Sequence, residues 1–379
     1  MSLSQTVGLV LTGGGARGAY QAGVLQALES IHHQMNPKGG PLFRVLSGSS
    51  AGAINVAYYA TQTHDPMGGV KRLGELWANI RSQDVFESRF SSIGRIGASF
   101  ILDFVTGSFQ KKKQSQSLLE TQPLREYLSR HLPFHLIGDN IEKGNLDALA
   151  VTATDYAAAS NISFIQVKKG LKVWERSRRR SEMVDIGVEH IMASSAIPIF
   201  FPTVHLGNRF FGDGSLRNMA PLSPAIHLGA EKIISVSVRR ISPPNEVVEM
   251  VKRPGMAHIL GAMISAAFFD PVDADIERMQ RTNSILQGMT AKELDRLNLK
   301  PIPILKIQPS KNIADIASEE AHRLPGLVRY LLGGMGSVEE ASELVSYLLF
   351  EPVFCQRLIE LGFNDCMQQR GEIEQFITQ

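Results

Sequence analysis

Three short stretches carry residue types that could act together in chemistry. Gly48 to Gly52 reads "GSSAG", a G-x-S-x-G pattern centred on Ser50. A serine held on a sharp strand-to-helix turn projects its hydroxyl, and small flanking residues let neighbouring elements close in around it. The helix that follows brings unbonded N–H groups and a positive dipole end beside that hydroxyl. The pentapeptide alone is a weak signal, because small-residue loops are common, but here an apolar stretch precedes it and an alanine-rich one follows.

The second stretch is "GGGARG", residues 13 to 18, in which Gly13, Gly15 and Gly18 satisfy G-x-G-x-x-G. A dinucleotide-binding loop is the first candidate. That reading needs an acidic residue about 20 residues on, at the end of the second strand, to hold the ribose. Here the second strand runs into Leu46-Ser47-Gly48, so the serine turn takes the acid's place, and Glu29 comes too early, on the intervening helix. The other reading is an oxyanion hole, in which successive glycine N–H groups converge on developing negative charge. Arg17 reads either as an orienting or charge-supplying residue of that loop or as an ordinary surface arginine on a first helical turn.

A serine hydroxyl needs a base. Asp213, flanked by Gly212 and Gly214 in "RFFGDGS", is the leading candidate, since a tight turn after an apolar strand positions the carboxylate and partial burial raises its proton affinity. An ordinary Asp-Gly turn is the bland reading. His190, His205, His227 and His258 compete on paper, but none sits in a glycine-marked turn, and each reads as structural. His131 and His135 have the i, i+4 spacing of metal ligands, with Pro133 spoiling a shared helical face, so no metal is expected.

The elements that must position these groups alternate. Thr6–Leu11 reads as a buried strand. Ala19–Gln34 reads as a helix with Ala22, Leu25, Ala27, Leu28 and Ile31 largely on one side. A second strand follows at Phe43–Leu46, and then a helix. Such alternation predicts right-handed βαβ units on a parallel sheet. Further strands are expected at Ala148–Thr154, Ile162–Val167, Leu171–Trp174, Arg209–Phe211, Lys232–Val238 and Pro303–Ile307, with a helix over Val184–Ser194. His258 to Gln287 reads as two helices separated near Pro271, and the region from Leu324 onward as short helices divided by glycines. Residues about 82–117, rich in Phe, Ile, Gly and Ser and ending in lysines, are expected to form a lid over the protein's own pocket. Contact with a bilayer is the alternative for that stretch.

The 379-residue chain can bury a sizeable core, and 44% hydrophobic with 20% charged residues is ordinary for a globular protein. A net charge of +2 argues against nucleic acid as a partner, although basic residues cluster at Lys111–Lys113 and between Arg176 and Arg180. The two cysteines, Cys355 and Cys366, supply no disulfide framework. The N-terminus lacks the pattern of a signal peptide, and no apolar run approaches the roughly 18 residues of a membrane span. The expectation is therefore a cytoplasmic chain that meets a membrane surface peripherally if at all.

Taken together, "GGGARG", "GSSAG", "ASSAIPIFFP" (Ala193–Pro202) and "DGS" (Asp213–Ser215) resemble the motifs of the patatin-like phospholipase family, in the same order, over Val7 to about Val238. The resemblance implies a three-layer α/β/α fold with a mainly parallel central sheet. It implies Ser50 as nucleophile, Asp213 as base without a histidine, and Gly13, Gly14 and Gly15 as oxyanion donors. Arg17, Gly18, Gly48, Gly52 and Gly214 would support them. It further implies a lipid or other acyl ester as substrate, an acyl-enzyme intermediate, no cofactor and no calcium in the chemistry. A non-lipid esterase, a thioesterase or an acyltransferase would use the same dyad. Ser215 stands where the family usually has Gly or Ala, which makes the setting of Asp213 more polar. The expected organisation is a catalytic domain over 1–310 and a helical extension over 311–379 packed on it.

Overall fold

The computed structural model describes residues 5–87, 117–241, 253–297, 299–334 and 341–378. Most of the expected lid lies outside the described residues. Among these, ten strands form one sheet: β1 (Val7–Leu11), β2 (Val45–Ser49), β3 (Ala148–Asp155), β4 (Ser160–Val167), β5 (Glu175–Arg176), β6 (Arg179–Met183), β7 (Val204–Leu206), β8 (Arg209–Gly212), β9 (Lys232–Val236) and β10 (Ile304–Ile307). Their order is β10-β9-β1-β2-β3-β4-β6-β5, and β8, carrying β7, pairs separately with β3. The run from β10 to β3 is parallel throughout, while β4 and β8 each meet β3 antiparallel.

The central strands are apolar along their whole length because both faces are buried. Alternate residues go to different cores. Leu9, Leu11, Leu46, Leu149, Val151, Ile234 and Val236 join one hydrophobic cluster, whereas Val10, Val45, Ala148, Ala150 and Ile233 join the other. The first core is filled by α1 (Gly18–Met35), α2 (Ala51–Gln62) and α3 (Pro66–Asn79), among others. The second is covered by Leu222 to Ala230 and by Val272 and Ile276 of a later helix. This is the expected α/β/α layering. Among the described residues no helix is long and apolar enough to cross a membrane.

Three local expectations are corrected. Met256–Gln287 is one continuous helix of 32 residues with Pro271 inside it. The residues around the proline are anchored on both cores, Phe268 and Phe269 in one and Val272 and Ile276 in the other. Arg239 also grips Asp270 and Asp273 on either side of the ring. Tertiary packing therefore outweighs the lost helical hydrogen bond. Leu171–Trp174 is not a strand, because although the Trp174 carbonyl accepts the Ser181 N–H, its own amide donates to the Ser181 side chain, and ladder pairing begins only at β5. The C-terminal region is also not only short helices, since Pro352–Gln368 runs for 17 residues with Gly362 in its interior.

That last helix explains another departure. The first two turns of α1 are buried all round, not along one stripe, because Pro352–Gln368 covers the outer face. The two helices meet through glycines. A Cβ at Gly23 would strike the Ile359 carbonyl, and one at Gly362 the Tyr20 carbonyl. The Tyr20 hydroxyl adds a hydrogen bond of 3.1 Å to the buried Asp365. Because the obstructing atoms are backbone, Gly362→Ala should destabilise the protein by about 1–3 kcal/mol in chemical denaturation. Gly371→Ala, in the last helix with open space around it, should instead stabilise it by up to about 1 kcal/mol.

Candidate active site

The candidate residues gather at the carboxyl ends of β1 and β2, where ligands bind in open parallel sheets. β2 ends at Ser49, Ser50 is the turn, and α2 starts at Ala51. Ser50 has φ 53° and ψ −128°, a conformation that costs a non-glycine residue on the order of 1–3 kcal/mol. Its surroundings hold it there. The Ser50 N–H donates to Ser194 Oγ at 3.0 Å, and that hydroxyl donates to the Thr152 carbonyl at 2.6 Å. The Ser50 carbonyl accepts the first amides of α2, from Ala53 and Ile54.

Glycines let the turns touch. A Cβ on Gly13 would lie 2.9 Å from Ser50 Cβ and would overlap Ser215 Oγ, so the glycine loop, the serine turn and the aspartate turn converge at this point. Gly48 and Gly52 bring the serine turn onto itself and onto the carbonyls of Leu11 and Thr12 at the exit of β1. Gly18 packs under Trp77 and Ala51, and Gly214 against the Thr152 carbonyl. The N–H groups of Gly13, Gly14 and Gly15 donate to no group among the described residues. Gly14 and Gly15 take φ values of 154° and 55°, which turn the chain from β1 into the helix.

Asp213 is fully buried at the turn after β8. Its carbonyl accepts the Thr154 hydroxyl at 2.8 Å, its N–H donates to the Ala196 carbonyl, and its Oδ1 accepts the Ser215 N–H at 2.8 Å. Oδ2 is buried and completes no well-formed hydrogen bond among the described residues. Burial pushes the carboxyl up to about 6. The neighbouring Ser50 hydroxyl opposes the shift most strongly, followed by the Ser215 amide and hydroxyl. Ser215, the departure from the usual family pattern, also shares a 3.2 Å contact with Ser49 Oγ, so it fills the floor beneath Gly13.

Arg17 is not the surface arginine of the bland reading. It is 1% exposed, and both Nε and Nη2 donate to Ser346 Oγ, at 2.8 and 2.6 Å, while Nη2 also pairs with Glu343. Glu29 is buried as well. It accepts the Tyr59 hydroxyl and the Leu42 amide, and burial pushes it up to about 7, so it is not available to a ribose. The histidines lie elsewhere. His190 accepts the Gly187 amide, His205 packs on Phe210 and His227 stacks on Trp174, and no hydrogen bond joins any of them to Ser50 among the described residues.

A narrow pocket with about 20 Å³ of water-accessible space opens from Ser50 and Gly15. Ile54, Trp77, Ile80, Leu128, Phe201 and Phe350 contribute to its walls, which are almost wholly apolar. Ser194 and Thr152, which fix the serine turn, and the partners of Arg17 have no recognisable local signal in the sequence. Only the run "ASSAIPIFFP" marks the neighbourhood of Ser194.

Comparison with known proteins bears on this arrangement. The chain aligns structurally with VipD from Legionella pneumophila (13% identity, TM-score 0.31), covering 97% of this chain and 67% of that one. It also aligns with human GIVD cytosolic phospholipase A2 in complex with methyl γ-linolenyl fluorophosphonate (13% identity, TM-score 0.41), covering 99% of this chain and 58% of that one. No curated protein matches the sequence. The family model for patatin-like phospholipase matches residues 9–226. The chain belongs to the patatin-like phospholipase family.

Proposed function

We propose that the protein is a serine lipid acyl hydrolase in which Ser50 is the nucleophile, Asp213 the general base, and the N–H groups of Gly13, Gly14 and Gly15 the oxyanion donors. The observation that carries this reading is the buried Asp213 carboxyl, with one oxygen lacking a well-formed bond and its proton affinity tuned by the Ser50 hydroxyl. A base with a pKa near working pH is well matched to proton transfer. Glycine amides with no partner of their own suit a developing negative charge.

The steps follow from these groups. Ser50 Oγ attacks the ester carbonyl carbon while its proton passes to Asp213. The former carbonyl oxygen takes the negative charge and is held by the glycine amides. Collapse of the tetrahedral intermediate breaks the bond to the alcohol oxygen, which leaves with the proton from Asp213. Water then attacks the acyl-enzyme, again giving its proton to Asp213. Collapse of this second intermediate breaks the bond to Ser50 Oγ, which takes the proton back from Asp213, and the carboxylic acid is released. The apolar pocket suits the acyl chain, each buried methylene contributing about 0.8 kcal/mol. That lining favours lipid esters over small polar ones. Acyl transfer to a second alcohol would differ only in the last acceptor, and product analysis with added alcohol separates the two.

Ser50→Ala and Asp213→Asn should each lower hydrolysis of a phospholipid and neutral-lipid panel by at least about 10³-fold. Single changes at His190, His205, His227 or His258 should leave it within about threefold. Wild-type activity in folded Asp213→Asn would remove the dyad.

The base must be ionised, so activity should rise with pH through about 6 and level off above 7. The stability effect has the opposite sign. A carboxyl whose folded pKa lies above its ordinary 3.8 favours folding when protonated, and that contribution is lost as pH rises from about 4 through about 6. Asp213→Asn should therefore be more resistant to denaturant than wild type at pH 8, by on the order of 1–3 kcal/mol, with the difference closing below pH 4.

A further inference from the structure

The proposed oxyanion loop is fastened from the far end of the chain. Three residues of the helix Ser342–Leu348, Glu343, Ser346 and Tyr347, contact Gly15 or Arg17. Glu343 pairs with Arg17 Nη2 at 2.5 Å. Ser346 Oγ accepts from both Arg17 Nε and Nη2, 329 residues away in sequence. Tyr347 lies under the guanidinium, 4.6 Å from ring centre to Arg17 Cζ, and its backbone carbonyl is packed so closely against Gly15 that no Cβ would fit. Phe269 takes a second place beneath the guanidinium at 5.6 Å and stacks on Tyr347.

Two roles for Arg17 can be separated on this geometry. If it supplied positive charge directly to the reacting carbonyl, it would face the pocket with donors to spare. Instead Gly15 and Ser50 line the pocket and Arg17 does not, and its Nε and Nη2 are directed at Ser346 and Glu343. A guanidinium forked onto fixed acceptors and packed against two rings is a rigid joint. Arg17 closes the single helical turn that begins at Gly15, so fixing its head group fixes the orientation of the loop's amides. An oxyanion hole depends on such orientation, because its donors must be aligned before charge develops.

We propose that Glu343, Ser346 and Tyr347 are positioning residues for the glycine loop, acting through Arg17, and that the C-terminal helix they share is an integral part of the active site. This rests on the reading of Gly13–Gly15 as the oxyanion donors. It assigns catalytic consequence to a helix well beyond the matched family region, which ends at residue 226. The helix sets transition-state alignment without touching substrate, so its loss should appear in kcat and not in KM.

The test measures kcat and KM for a soluble p-nitrophenyl acyl ester, together with the rate of Ser50 labelling by a fluorophosphonate, whose adduct needs the same oxyanion donors. Both are normalised to the folded fraction from thermal unfolding. Ser346→Ala and Glu343→Gln should each lower kcat and the labelling rate by at least about tenfold, with KM within about twofold. Ser346→Thr, which keeps the hydroxyl, should recover most of the rate lost in Ser346→Ala. The double variant Glu343→Gln/Ser346→Ala should lose less than the product of the two single losses, because both act through one guanidinium. Full kcat in folded Ser346→Ala and Glu343→Gln, or losses that track only KM or the folded fraction, would overturn the clamp. Failure of the wild-type protein to hydrolyse esters and to label at all would overturn the oxyanion reading itself, and the clamp with it.

Discussion

A carboxyl group enclosed by protein on every side is the constraint around which this site is organised. Removing an ionised carboxylate from water costs several kcal/mol unless hydrogen bonds replace the lost solvent. Here the replacement is partial. Asp213 Oδ1 receives the Ser215 amide, while Oδ2 is left to the influence of the Ser50 hydroxyl. Full compensation would hold the pKa down and leave a poor base, whereas none would leave the group protonated at neutral pH. The half-satisfied carboxyl lies between these limits, fully buried where the turns of Ser50, Gly13 and Gly214 pack together.

That packing is possible because the sheet delivers three chain ends to one edge with little room between them. β1 and β2 are neighbours in parallel register, so the glycine loop and the serine turn leave side by side. β8 returns antiparallel on β3, pairing Gly212 with Thr154, and so brings Asp213 to the same edge from a distant part of the sequence. Ser194 then locks the strained Ser50 backbone to Thr152 of β3. The strain at Ser50 and the burial of Asp213 both oppose folding, and the two hydrophobic cores on either side of the sheet offset them.

Much of this was legible in the sequence, for a physical reason. Strands buried on both faces read as continuous apolar runs, and turns that demand glycine carry it at fixed spacing, so "GGGARG", "GSSAG" and "GDGS" announce themselves locally. The rest depends on contacts that leave no local pattern. Arg17 reads equally well as a surface residue until Glu343 and Ser346 are brought to it. Pro271 reads as a helix breaker until packing on two cores carries the helix past it. The outer face of α1 looks solvated until Gly23 and Gly362 let a C-terminal helix settle on it.

The most direct test of the central claim is the titration of Asp213 itself, followed by the carboxyl 13C resonance of Asp-labelled protein and assigned by its loss in Asp213→Asn. The account predicts a midpoint near 6 in the wild-type protein. It also predicts a higher midpoint in Ser50→Ala, because the hydroxyl that favours the ionised form is then gone. A midpoint near the ordinary 3.8, or one that does not move when Ser50 is changed, would contradict it.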